Sequence, residues 1–227
     1  MLIYLFIQII FSTSLSSLPK FSYSVSEVKN ERNCNASFIF ASVSALESIY
    51  ATSQNSGTII NFSEQWVLSN LNSSSCAGGS AKETLDLLQD IGTYYEAVYP
   101  YYGQFINLDP VSYQIFKPSS YKELFPSNPT DFLEMIKLKS AIVRLYYDNS
   151  TTFLNYKGGN YLCSNNLADV HYMLAVYHEG AELQGVVYLK NNWGLGWGNQ
   201  GYLVLNLTST NKKGPCNLFE EVYQINY

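Results

Sequence analysis

Ser37 opens a stretch, Phe38 to Tyr50, that is apolar nearly all round. A helix of that composition is buried inside a domain. Its N-terminus carries unpaired N–H groups and partial positive charge, which favour a developing anion. A hydroxyl there can attack an acyl carbon only if a base takes its proton during the attack. The chain holds two histidines for that task, His171 and His178. The plainer alternative is a core helix whose first turn is capped by Asn35 or Ser37.

The elements that would position these groups follow from the pattern of apolar residues. Beyond the central helix, Asn61-Phe62-Ser63-Glu64-Gln65-Trp66 opens a short helix to about Leu71. Ser80 and Glu83 form a capping box for a helix through Ile91, stopped by Gly92. The run from Tyr99 to Pro129, rich in proline and aromatics, reads as irregular and joins two lobes. Thr130 is placed as the cap of a helix through about Lys139. From there the period turns strand-like. Ala141–Tyr147, His171–Tyr177, Gly185–Lys190, Gly201–Asn206 and Glu220–Ile225 are the expected strands. Helices first and antiparallel strands later make an α+β pattern, with one helical lobe and one sheet lobe.

Composition bounds the function classes. The chain has 227 residues, 47% hydrophobic and 14% charged, enough to bury a substantial core. Its net charge of -5 and lack of a basic run argue against nucleic acid and anionic membranes as partners. Twenty tyrosines bury rings while keeping hydroxyls wet. The clusters Tyr94-Tyr95, Tyr99–Tyr102 and Tyr146-Tyr147 are expected in core and lobe contacts. The apolar run Leu2–Phe11 is too short to span a bilayer. It reads as a secretory signal peptide over residues 1–16, with Ser14-Leu15-Ser16 at the cleavage site. Residues 17–227 then form the mature domain, with no membrane span expected.

Cys34, Cys76, Cys163 and Cys216 are an even set in a chain bound for an oxidising compartment, so two disulfides are expected. Three pairings are open. No metal or other cofactor is expected: there is no CxxC pair, and His178 has no evident ligand partners. Sequons stand at Asn35, Asn61, Asn72, Asn149 and Asn206, somewhat more than chance gives, as in a glycoprotein.

Several segments line up in order: Asn30-Glu31-Arg32-Asn33-Cys34-Asn35-Ala36-Ser37, then Phe62-Ser63-Glu64-Gln65, then Cys76-Ala77-Gly78-Gly79. Late in the chain stand Asp169-Val170-His171 and Lys190-Asn191-Asn192-Trp193-Gly194-Leu195-Gly196-Trp197-Gly198, with Gly214-Pro215-Cys216 near the end. The set resembles the papain and cathepsin family of cysteine peptidases over nearly the whole chain after the signal. His171 and Asn191 lie 134 and 154 residues after position 37, close to the spacing of that family. The resemblance implies a helical left lobe of about residues 27–115 and a right lobe of about 116–227. The right lobe would be an antiparallel β-barrel-like sheet, with a cleft between the two. It implies the pairings Cys34–Cys76 and Cys163–Cys216. It matches position 37 with the nucleophile, His171 with the general base and Asn191 with the residue orienting it. Trp193 matches the shielding ring, Glu31 the oxyanion-hole glutamine, and Gly78 and Gly79 the segment that receives substrate backbone.

The departures from that pattern point to a changed function. The nucleophile position is Ser37, and a hydroxyl cannot be stored as its anion the way a thiol can. Glu31 puts a carboxylate where an amide donor belongs, and the loss of one such donor costs about 10²–10³ in rate. Asn35 lies in a sequon completed by Ser37 itself: a glycan there would lie over the cleft, while the same asparagine serves equally as a helix cap. Leu18-Pro19-Lys20 follows the signal at once, where family peptidases carry an inhibitory propeptide. The expectation is a secreted, catalytically inactive member, akin to the serine-substituted serine-repeat antigens, that binds another protein. The alternative is a weak serine-dependent hydrolase using Ser37, His171 and Asn191.

Overall fold

A computed structural model describes residues 24–54, 58–71, 76–148, 151–180, 185–208 and 211–227. The expected signal peptide and the sequons at Asn72 and Asn149 lie outside the described residues. Three helices come first: α1 (Ser37–Ser53), α2 (Glu64–Asn70) and α3 (Ala81–Asp90). Strand β1 (Ser120–Leu124) and helix α4 (Pro129–Ile136) follow, then β2 (Ala141–Tyr147) and the short α5 (Thr151–Leu154). Strands β3 (Asp169–Glu179), β4 (Val186–Lys190), β5 (Tyr202–Asn206) and β6 (Val222–Asn226) complete the chain. The six strands form an antiparallel sheet in the order β1-β6-β2-β3-β4-β5. The result is the two-lobed α+β architecture expected from the sequence.

The sheet is covered on both faces, and the two-residue period of its strands sorts side chains between two cores. Tyr172, Leu174 and Val176 of β3 join α1–α3 in one core. Met173 and Ala175 join Phe132, Phe153 and Trp197 in the other. Helix α1 fills the space between α3 and the sheet, so apolar residues around its whole circumference are buried. Register then fixes the site's geometry. Leu145 pairs with His171 and Tyr147 with Asp169, setting His171 at the start of a long central strand.

Helix ends depart from the sequence reading. The N-cap of α1 is Ala36, without a side-chain bond, in place of Asn35 or Ser37. Ser37 turns its hydroxyl to β3, where it accepts from the Tyr172 N–H at 3.2 Å. The α4 cap is Asn128, accepting from Asp131 N at 3.0 Å, in place of Thr130. Pro129 at the first helical position explains this, since its missing N–H is one the helix does not use there. That helix ends at Ile136 and stops short of Lys139. The stretch read as irregular contains β1, an edge strand paired with the C-terminal β6. Strand β3 also runs further than read at both ends.

Candidate active site

The cleft lies where the start of α1 meets β3 and the Asn191–Gly194 segment. Disulfide Cys34–Cys76 holds one side, and Cys163–Cys216 ties the far end of the sheet lobe; both pairings are as the resemblance implied. Asn35 N donates to Cys76 O at 3.2 Å, so the disulfide sets the loop that carries Gly78 and Gly79 against the head of α1. Gly79 has no room for a side chain: a Cβ there would lie 2.5 Å from the Phe38 ring. Gly78 adopts φ +103°, a conformation open to glycine. The cavity holds about 470 Å³, with Glu31, Ser37, Gly78, Gly79, His171 and Trp193 in its lining.

The structure brings together the residues picked out from the sequence. His171 Nε2 lies 2.7 Å from Asn191 Oδ1. That oxygen also accepts from Asn192 N at 2.8 Å, so it is the acceptor and His171 Nε2 is the donor. Neutral His171 therefore keeps its lone pair on Nδ1. Trp193 packs on the imidazole with centroids 4.5 Å apart. Ser37 and His171 are both buried, and among the described residues no hydrogen bond joins them. Asn191, Asn192 and the nearby Asp169 carboxylate favour the charged form of His171, but they do not outweigh its burial. Burial brings its pKa down to about 4, against the Asn191 contact.

Glu31 is held by the late segment of the sheet lobe. Its N–H donates to Asn192 O at 2.8 Å, Gly194 N donates to Lys29 O at 3.0 Å, and Asn30 bridges Trp193. This short ladder brings the Trp193 indole N–H onto Glu31 Oε1 at 2.6 Å. Burial pushes the Glu31 carboxyl up to about 7, while the Trp193 hydrogen bond favours the ionised form. Glu31 is thus an acceptor at alkaline pH and carries a proton in mildly acidic solution.

Other expectations fall outside the cleft. His178 sits near the end of β3, half-buried against Tyr177 with ring centroids 6.3 Å apart. Asn35 and Asn61 are exposed, and Asn206 is partly so. Tyr94 and Tyr99 pack on Trp66 in a small satellite core, whereas Tyr147 borders the cleft and donates to Asp169 Oδ2 at 3.2 Å. No helix among the described residues is long and apolar enough to cross a membrane.

Two features escaped the sequence reading. Asn192 Nδ2 donates to the Ser37 carbonyl at 3.3 Å, tying the head of α1 to the late segment. Below the cleft lies a buried ionic network. Lys29 Nζ reaches Glu47 Oε1 and Glu64 Oε1, each at 2.7 Å. Ser26 donates to Glu47 Oε2 at 2.5 Å, and Lys190 Nζ donates to Ser26 and Ser44 at 2.7 and 3.1 Å. A glutamate in the middle of an otherwise apolar helix was the available signal, because a buried carboxylate requires partners.

Residues 17–225 match the model of the papain family of cysteine proteases. Papain from Carica papaya is 28% identical over 200 residues, covering 86% of this chain and 55% of that protein. Papaya proteinase 4 from the same plant is 26% identical, covering 88% of this chain and 57% of that one. The chain thus spans little more than half the length of these relatives. Among solved structures, the bromelain protease from Ananas comosus, in complex with the E64 inhibitor, is similar with a TM-score of 0.76 at 24% identity. That match covers 89% of this chain and 94% of that one. Digestive procathepsin L 3 of Tenebrio molitor has a TM-score of 0.78 at 25% identity, covering 91% and 68%.

Proposed function

The chain belongs to the papain family of cysteine proteases, and we propose that it is a secreted, catalytically inactive member that keeps the fold as a binding module for another protein. Glu31 carries this reading. An oxyanion forming beside Ser37 needs donors, and above about pH 7 the residue in the donor's position is a carboxylate that repels the developing charge. Ser37 compounds the deficit. Its hydroxyl is engaged by the Tyr172 N–H and has no bond to His171. A base whose pKa is about 4 also has little driving force to take an alcohol proton. Two disulfides fit an oxidising, secretory route.

One observation favours a second reading, the weak serine-dependent hydrolase. Between about pH 4 and 7, His171 is neutral and able to accept a proton, while Glu31 is protonated and able to donate a hydrogen bond. In that window the Ser37–His171–Asn191 set would have both a base and an oxyanion donor. A serine-reactive fluorophosphonate probe, applied at pH 5 and pH 8 with Ser37→Ala as control, separates the two readings. The inactive reading expects no Ser37-dependent labelling at either pH. Labelling at pH 5 that disappears in Ser37→Ala would establish the hydrolase instead.

A further inference from the structure

Ser37 has a second chemical meaning: it completes the sequon Asn35-Ala36-Ser37, and the structure removes the competing explanation for Asn35. That asparagine does not cap α1, whose N-cap is Ala36 without a side-chain bond. Its side chain makes no hydrogen bond among the described residues, it is exposed, and it borders the cleft opposite His171. We propose that Asn35 carries an N-linked glycan whose first sugars lie in the cleft and close it. The cavity of about 470 Å³ is of a size that holds a drug-sized ligand, so sugar rings tethered at its rim have room to enter. The inference rests on the secretory reading above.

The reaction is a glycosyl transfer. The Asn35 amide nitrogen forms a bond to the anomeric carbon of the first N-acetylglucosamine of a polyisoprenyl diphosphate-linked oligosaccharide. The anomeric carbon–oxygen bond to the diphosphate breaks, the lipid diphosphate leaves, and the amide gives up one proton. Ser37, which marks the acceptor, is 8% exposed, and its hydroxyl accepts from the Tyr172 N–H in the folded protein. The transfer must therefore precede the docking of α1 onto β3. In this chain the residue that replaces a thiol at the cleft is the same residue that makes the rim a glycan acceptor.

The test is expression of the full chain in a eukaryotic secretory host, with peptide mass spectrometry after enzymatic glycan release in heavy-oxygen water. The Asn35 peptide is expected to show the mass change of a released glycan. Asn35→Gln and Ser37→Ala should each lose one glycan mass, and Ser37→Thr should keep it. An unmodified Asn35 peptide beside an occupied Asn61 peptide would overturn this inference and leave the secretory reading standing. No occupied sequon at all, with the chain retained inside the cell and absent from the medium, would overturn both. Closure of the cleft is read separately through Val170→Cys, an exposed position in the cleft lining. The native cysteines are all paired, so the new thiol is the sole target for a maleimide. Labelling should be several-fold faster in Asn35→Gln/Val170→Cys than in Val170→Cys alone. Equal rates would show that the glycan leaves the cleft open.

Discussion

Helix α1 passes through two buried regions of opposite character, one at its head and one at its middle. At its head, Ser37 accepts from the Tyr172 N–H and shares no hydrogen bond with His171 among the described residues, and the buried Glu31 carboxyl accepts from the Trp193 indole. Two to three turns further along, Ser44 and Glu47 sit in a network where Lys29, Lys190, Ser26 and Glu64 each make at least one hydrogen bond. Both regions are buried and both join the two lobes. In the network buried charges meet ion pairs and hydrogen bonds. At the cleft burial instead pushes the Glu31 carboxyl up and the His171 imidazole down, each toward its neutral form.

The sharpest way to break this comparison is to disturb the network. Glu47→Gln strips the charge facing Lys29 and leaves buried cations with too few anions, so it should destabilise the protein by about 3–5 kcal/mol. Urea unfolding at pH 7 measures it. An effect no greater than that of a cleft substitution would erase the contrast.

Glu31→Gln should act in the opposite direction. The folded state holds the Glu31 proton up to about pH 7 and the unfolded chain releases it near 4.5, so stability falls as pH rises through that interval. At pH 8 the amide should therefore stabilise the protein, by an amount on the order of 3 kcal/mol. At pH 4 it should change little. His171 has the reverse sign: its folded pKa is about 4 against 6.5 ordinarily, so stability rises with pH between those values. Burial pushes the Glu64 carboxyl up as well and adds a second falling slope, so Glu31→Gln should leave stability falling less steeply with pH than in the parent protein. Denaturant midpoints measured from pH 4 to 8 in both proteins would show it.

Smaller effects sharpen the picture. Gly79→Ala drives a methyl into the Phe38 ring and should cost about 1–3 kcal/mol, read by thermal unfolding. Ser37→Ala, the change that would abolish a serine enzyme, should cost only about 1 kcal/mol, for the orphaned Tyr172 N–H. Near-equality of Ser37→Ala and Glu47→Gln would mean that the head of α1 is as structural as its middle.

Much of the fold was legible in the sequence because it is written in local signals. Strand β2 was bounded correctly at Ala141 and Tyr147, and Ser80 caps α3, though its hydroxyl accepts from Lys82 N and no reciprocal bond with Glu83 completes the expected capping box. The site residues were legible as a constellation through motifs such as Lys190–Gly198. Strand β1 was not, because an edge strand with exposed lysine and glutamate shows no alternation; only its pairing with β6 defines it. The protonation of Glu31 was hidden for a different reason. Composition shows a carboxyl group, and only burial shows where it titrates. The ionic network was hidden by distance, since Lys190 and Ser26 are 164 residues apart.

That separation has a kinetic side. The contacts that finish the cleft join residue 37 to 172 and 192, and residue 31 to 193. Such high contact order makes folding slow. At translation speeds of about 5–20 residues per second, roughly seven to twenty-seven seconds pass between synthesis of Ser37 and of Tyr172. Through that interval the head of α1 has none of its partners from β3 or the late segment. It is open to any enzyme that reads nascent chain, and it becomes inaccessible once the last third of the protein arrives.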